Sequence, residues 1–237
     1  MSRRTLVFFV CSPHGRTGVT TAARLLTDYY LSRGAPVEGF DTDSREPCYA
    51  LRFPKLARVV DLGDVRGQIA LFDRLLIADD TPKIVDVWSR SFDQLFSTIA
   101  EIGFLEEARR AGVEPIVLFQ TDGSHTAASN ARLLTTTWPD LWLTAIHNEG
   151  AAPLAPDAPA ILANYPMRGK LVIPSLESAI ARALDDVDLS LSDFLREPPP
   201  QMSIVVRAAL KAWIFPIFTQ FQSFELRLSL QSSRFLR

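Results

Sequence analysis

Residues 10–21 read Val10-Cys11-Ser12-Pro13-His14-Gly15-Arg16-Thr17-Gly18-Val19-Thr20-Thr21, and this stretch decides the fold. The run before it, from Thr5 to Cys11, is short, apolar and rich in Val and Phe, which predicts a β-strand. The run after it, from Thr20 to Ser32, repeats apolar residues at helical spacing. A strand, a turn with two glycines and a helix therefore follow one another in the order that a phosphate-binding loop requires.

The loop does not match the P-loop pattern G-x-x-x-x-G-K-[ST], because Pro13 occupies the place of the first glycine. It resembles more closely the variant loop of the ParA/MinD family, K-G-G-x-G-K-[ST]-T. Four positions of that loop are kept, namely Gly15, Gly18, Thr20 and Thr21. Three are substituted: His14 and Val19 stand in the places of the two lysines, and Arg16 stands in the place of the second glycine.

This resemblance implies a site for ATP and Mg²⁺, in which glycines admit the phosphates to the backbone N–H groups and a hydroxyl holds the metal. The implied nucleotide-binding residues of the loop are Gly15, Arg16, Thr17, Gly18, Thr20 and Thr21, with Thr20 also a metal ligand. Val19 has no charge and no donor, so a charge-assisted hydrogen bond worth about 1.5–3 kcal/mol is missing. We therefore expect nucleotide binding that is weak or absent and a loss of hydrolysis, unless the guanidinium of Arg16 replaces the lysine charge.

Two acidic motifs extend the resemblance. The stretch from Val37 to Asp43 resembles the family's second-strand ending, V-x-x-x-D-x-D, which implies that Asp41 and Asp43 serve Mg²⁺ and the attacking water in an active enzyme. Lys83 to Trp88 resembles the Walker B strand, which implies Asp86 as a metal-side carboxylate, although Trp88-Ser89 replaces the small residues or proline of the family. Asp41 and Asp43 are equally typical of a turn after a strand, and Asp61 with Asp64 forms a rival motif that we interpret as a helix cap.

Two later motifs complete the series. Ala145 to Asn148 resembles the strand end at which the family places an asparagine, here Asn148, against adenine. Leu171 to Ser175 resembles the last strand of the family and its turn into a helix. Order and spacing agree over residues 5–185, so the resemblance implies a doubly wound, mostly parallel α/β sheet of the P-loop NTPase type.

Hydrophobic periodicity predicts the same class independently, because short β-branched runs alternate with longer helical ones. The predicted strands are 5–11, 36–41, 57–62, 83–88, 114–120, 141–147 and 170–173, and the predicted helices are 19–33, 65–78, 92–111, 124–136 and 175–185. We expect a ParA/MinD-like P-loop domain at 1–186, an acidic and Pro-rich linker at 187–200, and a basic amphipathic helical tail at 201–237, interrupted by Pro216.

Composition narrows the function classes. The chain has 237 residues, 47% of them hydrophobic, with a net charge of −2, so it has no general attraction for nucleic acid, and no clear nucleic-acid site is readable. Two cysteines and three histidines show neither disulfide density nor metal-ligand spacing. The apolar run near the N-terminus is too short for a signal peptide, and we expect a cytoplasmic, bacterial protein.

The tail carries an apolar stripe at helical spacing, formed by Leu210, Trp213, Ile217, Phe221, Phe224 and Leu228. Such a stripe needs a covering surface. Three occupants are open: the chain's own domain, a protein partner or a second copy in a homodimer, and a membrane surface, as for the C-terminal helix of MinD-type proteins.

Three functions are consistent with these observations. The first is a degenerate P-loop protein, a pseudo-ATPase that acts as a binding and positioning factor for a protein partner. The second is an active ATPase in partitioning or subcellular localisation, with Arg16 in place of the lysine. The third is a synthetase or small-molecule kinase on the same fold, for which the chain names no substrate.

Overall fold

The computed structural model confirms the expected α/β class. It describes residues 4–151, 158, 167–185 and 190–232. The strands are β1 (Thr5–Cys11), β2 (Glu38–Asp41), β3 (Ala57–Val59), β4 (Lys83–Asp86), β5 (Val113–Gln120), β6 (Trp142–Asn148) and β7 (Lys170–Ile173). They form one sheet in the spatial order β3-β2-β4-β1-β5-β6-β7, and every neighbouring pair is parallel. All seven predicted strands are present, so the predicted alternation of strands and helices is confirmed.

The helices of the described residues differ from the prediction in three places. They are α1 (Val19–Ser32), α2 (Cys48–Arg52), α3 (Val65–Leu75), α4 (Phe92–Glu101), α5 (Phe104–Arg110), α6 (His125–Thr137), α7 (Ser178–Asp185), α8 (Leu191–Arg196) and α9 (Ile204–Ser232). The single helix predicted over 92–111 is wrong, because Gly103 adopts a left-handed conformation with φ of 61° and separates α4 from α5. Helices α2 and α8 were not predicted.

Each face of the sheet carries its own apolar core, and the alternation of side chains along β1 shows how. Val7 and Phe9 point to the core that α3, α4, α5 and α6 cover. Phe8 and Val10 point to the core that α1, α2, α7, α8 and α9 cover. The loop of residues 12–18 leaves the carboxyl end of β1, which lies between β4 and β5 in the middle of the sheet. The fold therefore places this loop above the centre of the sheet, where parallel α/β proteins bind ligands.

The linker predicted at 187–200 is wrong in its described part, because α8 packs on α1. Leu191 and Phe194 are buried in the core of that face. The backbone N–H of Ser192 donates to Oδ1 of Asp28 at 3.0 Å, and burial raises the pKa of Asp28 to about 6. Acidic and proline residues on both sides led to the linker interpretation, whereas the short apolar pair at i and i+3 is what docks the segment.

The C-terminal tail is one continuous helix, α9, and the interruption expected at Pro216 is absent. The face predicted from the apolar stripe is buried against the chain's own domain, with the exception of Trp213, which is partly buried. Its indole donates to the carbonyl of Pro174 at 2.7 Å. Of the three occupants left open by the sequence, the domain itself therefore covers this face.

Polar contacts fix α9 at two further points. Glu225 is buried and accepts hydrogen bonds from the hydroxyls of Tyr29 and Tyr30 and from the guanidinium of Arg33, each at 2.7 Å. The side-chain amide of Gln220 accepts from the N–H of Val172 at 2.8 Å and donates to the carbonyl of the same residue at 2.9 Å. These contacts join α9 to α1 and to β7, the last strand of the described sheet.

The opposite face of α9 is exposed and still apolar. Its large exposed side chains are Ile204, Val205, Phe215, Leu226 and Leu230. By length and composition, the segment Ile204–Leu230 is apolar enough to cross a membrane, and 28% of its most apolar window is buried. A helix that is apolar on all sides usually has a covering on more than one side.

Candidate functional site

The loop before α1 contains two residues with positive φ. Gly18 adopts a left-handed conformation with φ of 89° immediately before the helix, and Arg16 has φ of 63°. No side chain caps the N-terminus of α1, and its first turn contains no acidic residue. The free N–H groups and the helix dipole at this end favour an anion.

On the side of β5, the loop is attached by polar contacts. Nδ1 of His14 lies 2.6 Å from Oδ2 of Asp122, which follows that strand. The side-chain amide of Gln120 donates to the carbonyl of Thr17 at 2.7 Å. Burial raises the pKa of Asp122, but hydrogen bonds from Ser124 and His14 outweigh it and hold the pKa below the usual value.

On the side of β6, Asn148 fills the space beside Gly18. A Cβ atom added to Gly18 would lie 2.2 Å from Nδ2 of Asn148. Oδ1 of Asn148 accepts from the N–H of Gly150 at 3.0 Å. The asparagine that the resemblance placed against adenine therefore packs on the loop itself and fixes the turn at residues 148–150.

Val19, in the place of the P-loop lysine, is partly buried and packs against the core beneath the loop. The side chain of Thr20 hydrogen-bonds the carboxyl group of Asp86. Asp41 and Asp86 are register partners on the neighbouring strands β2 and β4. Three of the predicted positions thus converge above the carboxyl ends of two adjacent strands.

The carboxylate of Asp41 is occupied by the backbone. Oδ1 accepts from the N–H of Asp43, and Oδ2 accepts from the N–H groups of Tyr49 and Ala50, each at 3.0 Å. Asp41 therefore caps the first turn of α2, and its burial raises its pKa. Asp43 accepts from the N–H groups of Arg45 and Glu46 at 3.1 and 3.0 Å, as a turn residue does.

Asp86 has a strongly raised pKa. It is 4% exposed, and burial together with the neighbouring charge of Asp41 raises its pKa to about 7. The hydrogen bond from Thr20 acts in the opposite direction and does not restore the usual value. At neutral pH the carboxyl group is therefore protonated in a large fraction of the molecules.

These acids do not make a metal site of their own. Among the residues that the structure describes, no three His, Cys, Asp or Glu side chains lie together in a way that would hold a metal ion. The oxygens of Asp41 accept three backbone hydrogen bonds, and burial raises the pKa of Asp86 to about 7. Hard cations prefer ionised carboxylates and water, and the Mg²⁺ set that the resemblance implies, Thr20, Asp41 and Asp86, remains a prediction.

A cavity of about 650 Å³ opens on the β2 and β4 side of the loop. Of the predicted site residues, it brings together Gly15, Arg16, Gly18, Thr20, Asp41, Asp43 and Asp86. Thr17, Thr21 and Asn148 are not in its described lining. The rival motif lies elsewhere, and Asp64 caps α3 by accepting from the N–H of Arg66, as interpreted from the sequence.

Three lining residues that the sequence reasoning missed form a stack at the rim. The guanidinium carbons of Arg45 and Arg90 lie over the ring of Trp88, at 5.8 and 5.2 Å from its centre. The backbone N–H of Trp88 donates to the hydroxyl of Thr42 at 2.8 Å, which holds the end of β4 against the end of β2. The signal available in the sequence was a tryptophan directly after a buried strand, where the family has a small residue.

Comparisons with known proteins name no family. No protein-family model matches the chain, and no curated protein matches it. Among solved structures, it is similar to a nucleotide-binding protein from Archaeoglobus fulgidus in complex with ADP and with Co. The identity is 14%, the TM-score is 0.49, and the match covers 82% of this chain and 88% of that one. A similarity of this size leaves the ligand to be argued from the chain's own residues.

Proposed function

We propose that this chain is a degenerate ParA/MinD-like P-loop protein that holds a nucleotide without hydrolysing it and acts as a binding and positioning factor in the cytoplasm. The observation that carries the proposal is the position of Val19, which lines the cavity and packs against the core at the start of α1. The described lining of the cavity contains no lysine, and its cations are Arg16, Arg45 and Arg90.

Binding of phosphate is supported by the backbone. The left-handed Gly18, the uncapped N-terminus of α1 and the exposed guanidinium of Arg16 together offer N–H donors to an anion. Loss of the lysine removes about 1.5–3 kcal/mol from such an interaction, which weakens binding without abolishing it. We expect dissociation constants for ADP and ATP well above those of an intact P-loop.

The absence of hydrolysis has a separate basis. Phosphoryl transfer depends on positioned charge and on a metal between the phosphates. Val19 supplies no charge, Asp41 caps α2, and the raised pKa of Asp86, about 7, weakens its carboxylate as a partner for a metal at neutral pH. The nucleotide in this proposal is a structural or signalling ligand whose occupancy changes the surface around the loop.

The test is calorimetric titration of the full chain with Mg-ADP and Mg-ATP, with phosphate release measured in parallel. We expect weak binding, no turnover, and an affinity about tenfold or more higher for Val19→Lys, because the lysine adds one charge-assisted hydrogen bond. Val19→Met is the matched control, since it has similar length without charge. Leu51→Lys, on an exposed residue outside the cavity, controls for the added charge.

Two outcomes contradict the proposal. If neither the wild type nor Val19→Lys bound nucleotide at millimolar concentration, nucleotide binding would not be part of the function. Turnover by the wild type that Arg16→Ala abolishes would instead establish the active ATPase, with Arg16 supplying the missing charge.

For the partner, we propose a protein with an acidic, apolar surface that binds the exposed face of α9. This face combines large apolar side chains with the basic groups Lys211 and Arg227, and the acid of this helix, Glu225, is buried. Polar residues such as Thr219 and Gln222 interrupt the apolar surface, which is typical of protein interfaces rather than of helices that insert into lipid.

Phe215→Asp tests this face. We expect it to abolish partner binding in a reconstituted complex and to leave the melting temperature of the free chain unchanged, since Phe215 is exposed. A monomer-dimer equilibrium that Phe215→Asp abolishes would make a second copy the occupant, and cosedimentation with anionic vesicles that it abolishes would make the membrane the occupant. Either result would overturn the proposal of a separate protein.

A further inference from the structure

We propose that Arg45, Trp88 and Arg90, at the edge of the cavity, form a docking site for an acidic segment of a protein partner. These three residues are called the arginine rim below. The inference rests on the proposed function, because it adds a second contact surface for the partner that a positioning factor requires. It does not depend on the position of the nucleotide base.

The arginines of the cavity have N–H donors that no acid of the chain accepts. In the part of the chain that the structure describes, the guanidinium groups of Arg16, Arg45 and Arg90 take part in no ion pair. The carboxylates of Asp41 and Asp43 accept hydrogen bonds from backbone N–H groups instead. The cations of the cavity are therefore available to carboxylates from outside.

The two other acids of the lining do not compensate the rim either. Asp86 is 4% exposed, so it lies at the floor of the cavity, and burial raises its pKa to about 7. Glu46 is exposed and follows Arg45 in the sequence, but the two side chains form no ion pair. The acids thus lie below the rim or beside it, and the guanidinium groups face solvent.

The indole of Trp88 holds both guanidinium groups at one place. Their carbons lie 5.8 and 5.2 Å from the centre of its ring, and the backbone N–H of Trp88 donates to the hydroxyl of Thr42 at 2.8 Å. A guanidinium group over a ring keeps its donors, because they lie in its plane and match a carboxylate bidentately. Carboxylates of neighbouring residues in one segment can therefore reach both arginines.

The exposure of the rim favours a protein segment over a small molecule. Arg45 and Arg90 are exposed, and Trp88 is partly exposed. Small ligands bind where most of their surface is buried, and one exposed ion pair contributes little. Several carboxylates on one segment act together, and Trp and Arg are enriched among the residues that dominate the energetics of protein interfaces.

The rim lies next to the loop, so an anion on the loop has to be distinguished from a segment on the rim. A Cβ atom added to Gly15 would lie 3.4 Å from the hydroxyl of Ser89, which follows Trp88 directly. Gly15 and the three rim residues line the same cavity of about 650 Å³. The experiment therefore uses two anionic probes, one for each place.

The first probe is a short fluorescein-labelled poly-L-glutamate, titrated with the full chain at low ionic strength and followed by fluorescence anisotropy. We expect Arg45→Gln combined with Arg90→Gln to weaken its binding about tenfold, because two exposed charge pairs are lost together. The matched control is Arg110→Gln combined with Arg196→Gln. It removes two charges from exposed residues outside the cavity and should leave the affinity unchanged.

Trp88 gives a second test of the same site. We expect Trp88→Ala to weaken poly-L-glutamate about threefold, because the arginines lose their cation–π contacts, and Trp88→Phe to retain most of the affinity. Inorganic pyrophosphate, measured by calorimetry, is the probe for the loop. It should bind the wild type and the double variant of the rim equally. Thermal unfolding by circular dichroism verifies that each variant is folded.

Four outcomes would overturn the docking site. One is the absence of poly-L-glutamate binding by a chain that binds ADP. A second is an equal loss in the rim variant and the control variant, which would reflect net charge alone. A third is an equal loss for pyrophosphate, which would assign the arginines to phosphate on the loop. The fourth is tighter binding of oligothymidylate that the rim variant abolishes, which would make nucleic acid the occupant.

The proposed function fails in a different way. If poly-L-glutamate bound and the rim variant weakened it, while neither ADP nor pyrophosphate bound, the docking site would stand and the nucleotide would be removed from the proposed function.

Discussion

The two sides of the loop at residues 12–18 are built in opposite ways. Towards β5 and β6, neutral amides and one hydrogen-bonded pair attach the loop through Gln120, Asn148 and the contact of His14 with Asp122. Towards β2 and β4, a cavity separates the loop from a group of arginines and carboxyl groups. One side is packed against the loop, whereas the other holds a buried acid with a raised pKa.

The comparison indicates that the packed side stabilises the loop, whereas the open side holds the titrating groups. Perturbed titrating groups and open space tend to occur at functional sites, and well-packed neighbours offset the energy that they cost. The packed side here contains the position that the family resemblance assigned to the base.

The largest expected effect on stability is that of Gly18→Ala, which disrupts the packing of Asn148 on the loop. Its φ of 89° is unfavourable for alanine, and the new methyl group would lie 2.2 Å from Nδ2 of Asn148. We expect a loss of about 3–4 kcal/mol in the free energy of unfolding, the sum of backbone strain and overpacking. Chemical denaturation followed by circular dichroism measures it.

Gly34→Ala is the matched control, because Gly34 has φ of 67° and no atom within 4 Å of the added methyl group. Its cost is the backbone strain alone, about 1 kcal/mol. Asn148→Ala should recover part of the loss in the Gly18→Ala background. Equal losses at both glycines would show that Asn148 does not fill the space beside the loop.

Asp86→Asn tests the open side of the loop. We expect this substitution to stabilise the protein at neutral and higher pH. Burial raises the pKa of Asp86 from its ordinary value of 3.8 to about 7, so between these pH values the folded state holds a proton that the unfolded state has released. Stability therefore decreases as the pH rises from about 4 to about 7, by up to about 4 kcal/mol at 1.36 kcal/mol per unit. We expect Asp86→Asn to gain about 2 kcal/mol at pH 8 and to flatten this dependence.

Urea denaturation from pH 5 to pH 8 measures the effect, with Asp64→Asn as control at an exposed helix cap. A steep decline in stability that persists in Asp86→Asn would assign the titration to another group.

The smallest expected effect is that of Asp122→Asn on the packed side. The side chains of His14 and Asp122 are 35% and 21% exposed, so solvent screens their attraction, and we expect a loss of about 1 kcal/mol. The pKa of Asp122 lies below its usual value in the folded state, so this contribution is present above about pH 4 and disappears as the pH falls below it.

Thermal unfolding at pH 7 and pH 3 gives the two values. Glu107→Gln is the control, because its pair with Arg110 is exposed on α5 and should contribute almost nothing. A loss in Asp122→Asn that is the same at both pH values would exclude an ionic origin.

The sequence was sufficient to predict the strands, but not to predict how the two sides of the loop are built. Apolar runs and their alternation with helices predicted all seven strands, because burial between two helical layers leaves a local pattern. The partners of Asn148 and Trp88 left no such pattern, since they depend on how turns of different strands approach one another. Helix α8 was missed because Leu191 and Phe194 are a short apolar pair between acidic and proline residues.

The side chain of Gln220 has a consequence for solubility. By bonding both the N–H and the carbonyl of Val172, its amide occupies β7 as a neighbouring strand would. Exposed strand edges are templates for aggregation and for strand exchange between molecules, and the opposite edge, β3, is only three residues long. A chain shortened before α9 would therefore expose the edge of β7 as well as an apolar core. We expect such a chain to aggregate, and not only to lose stability.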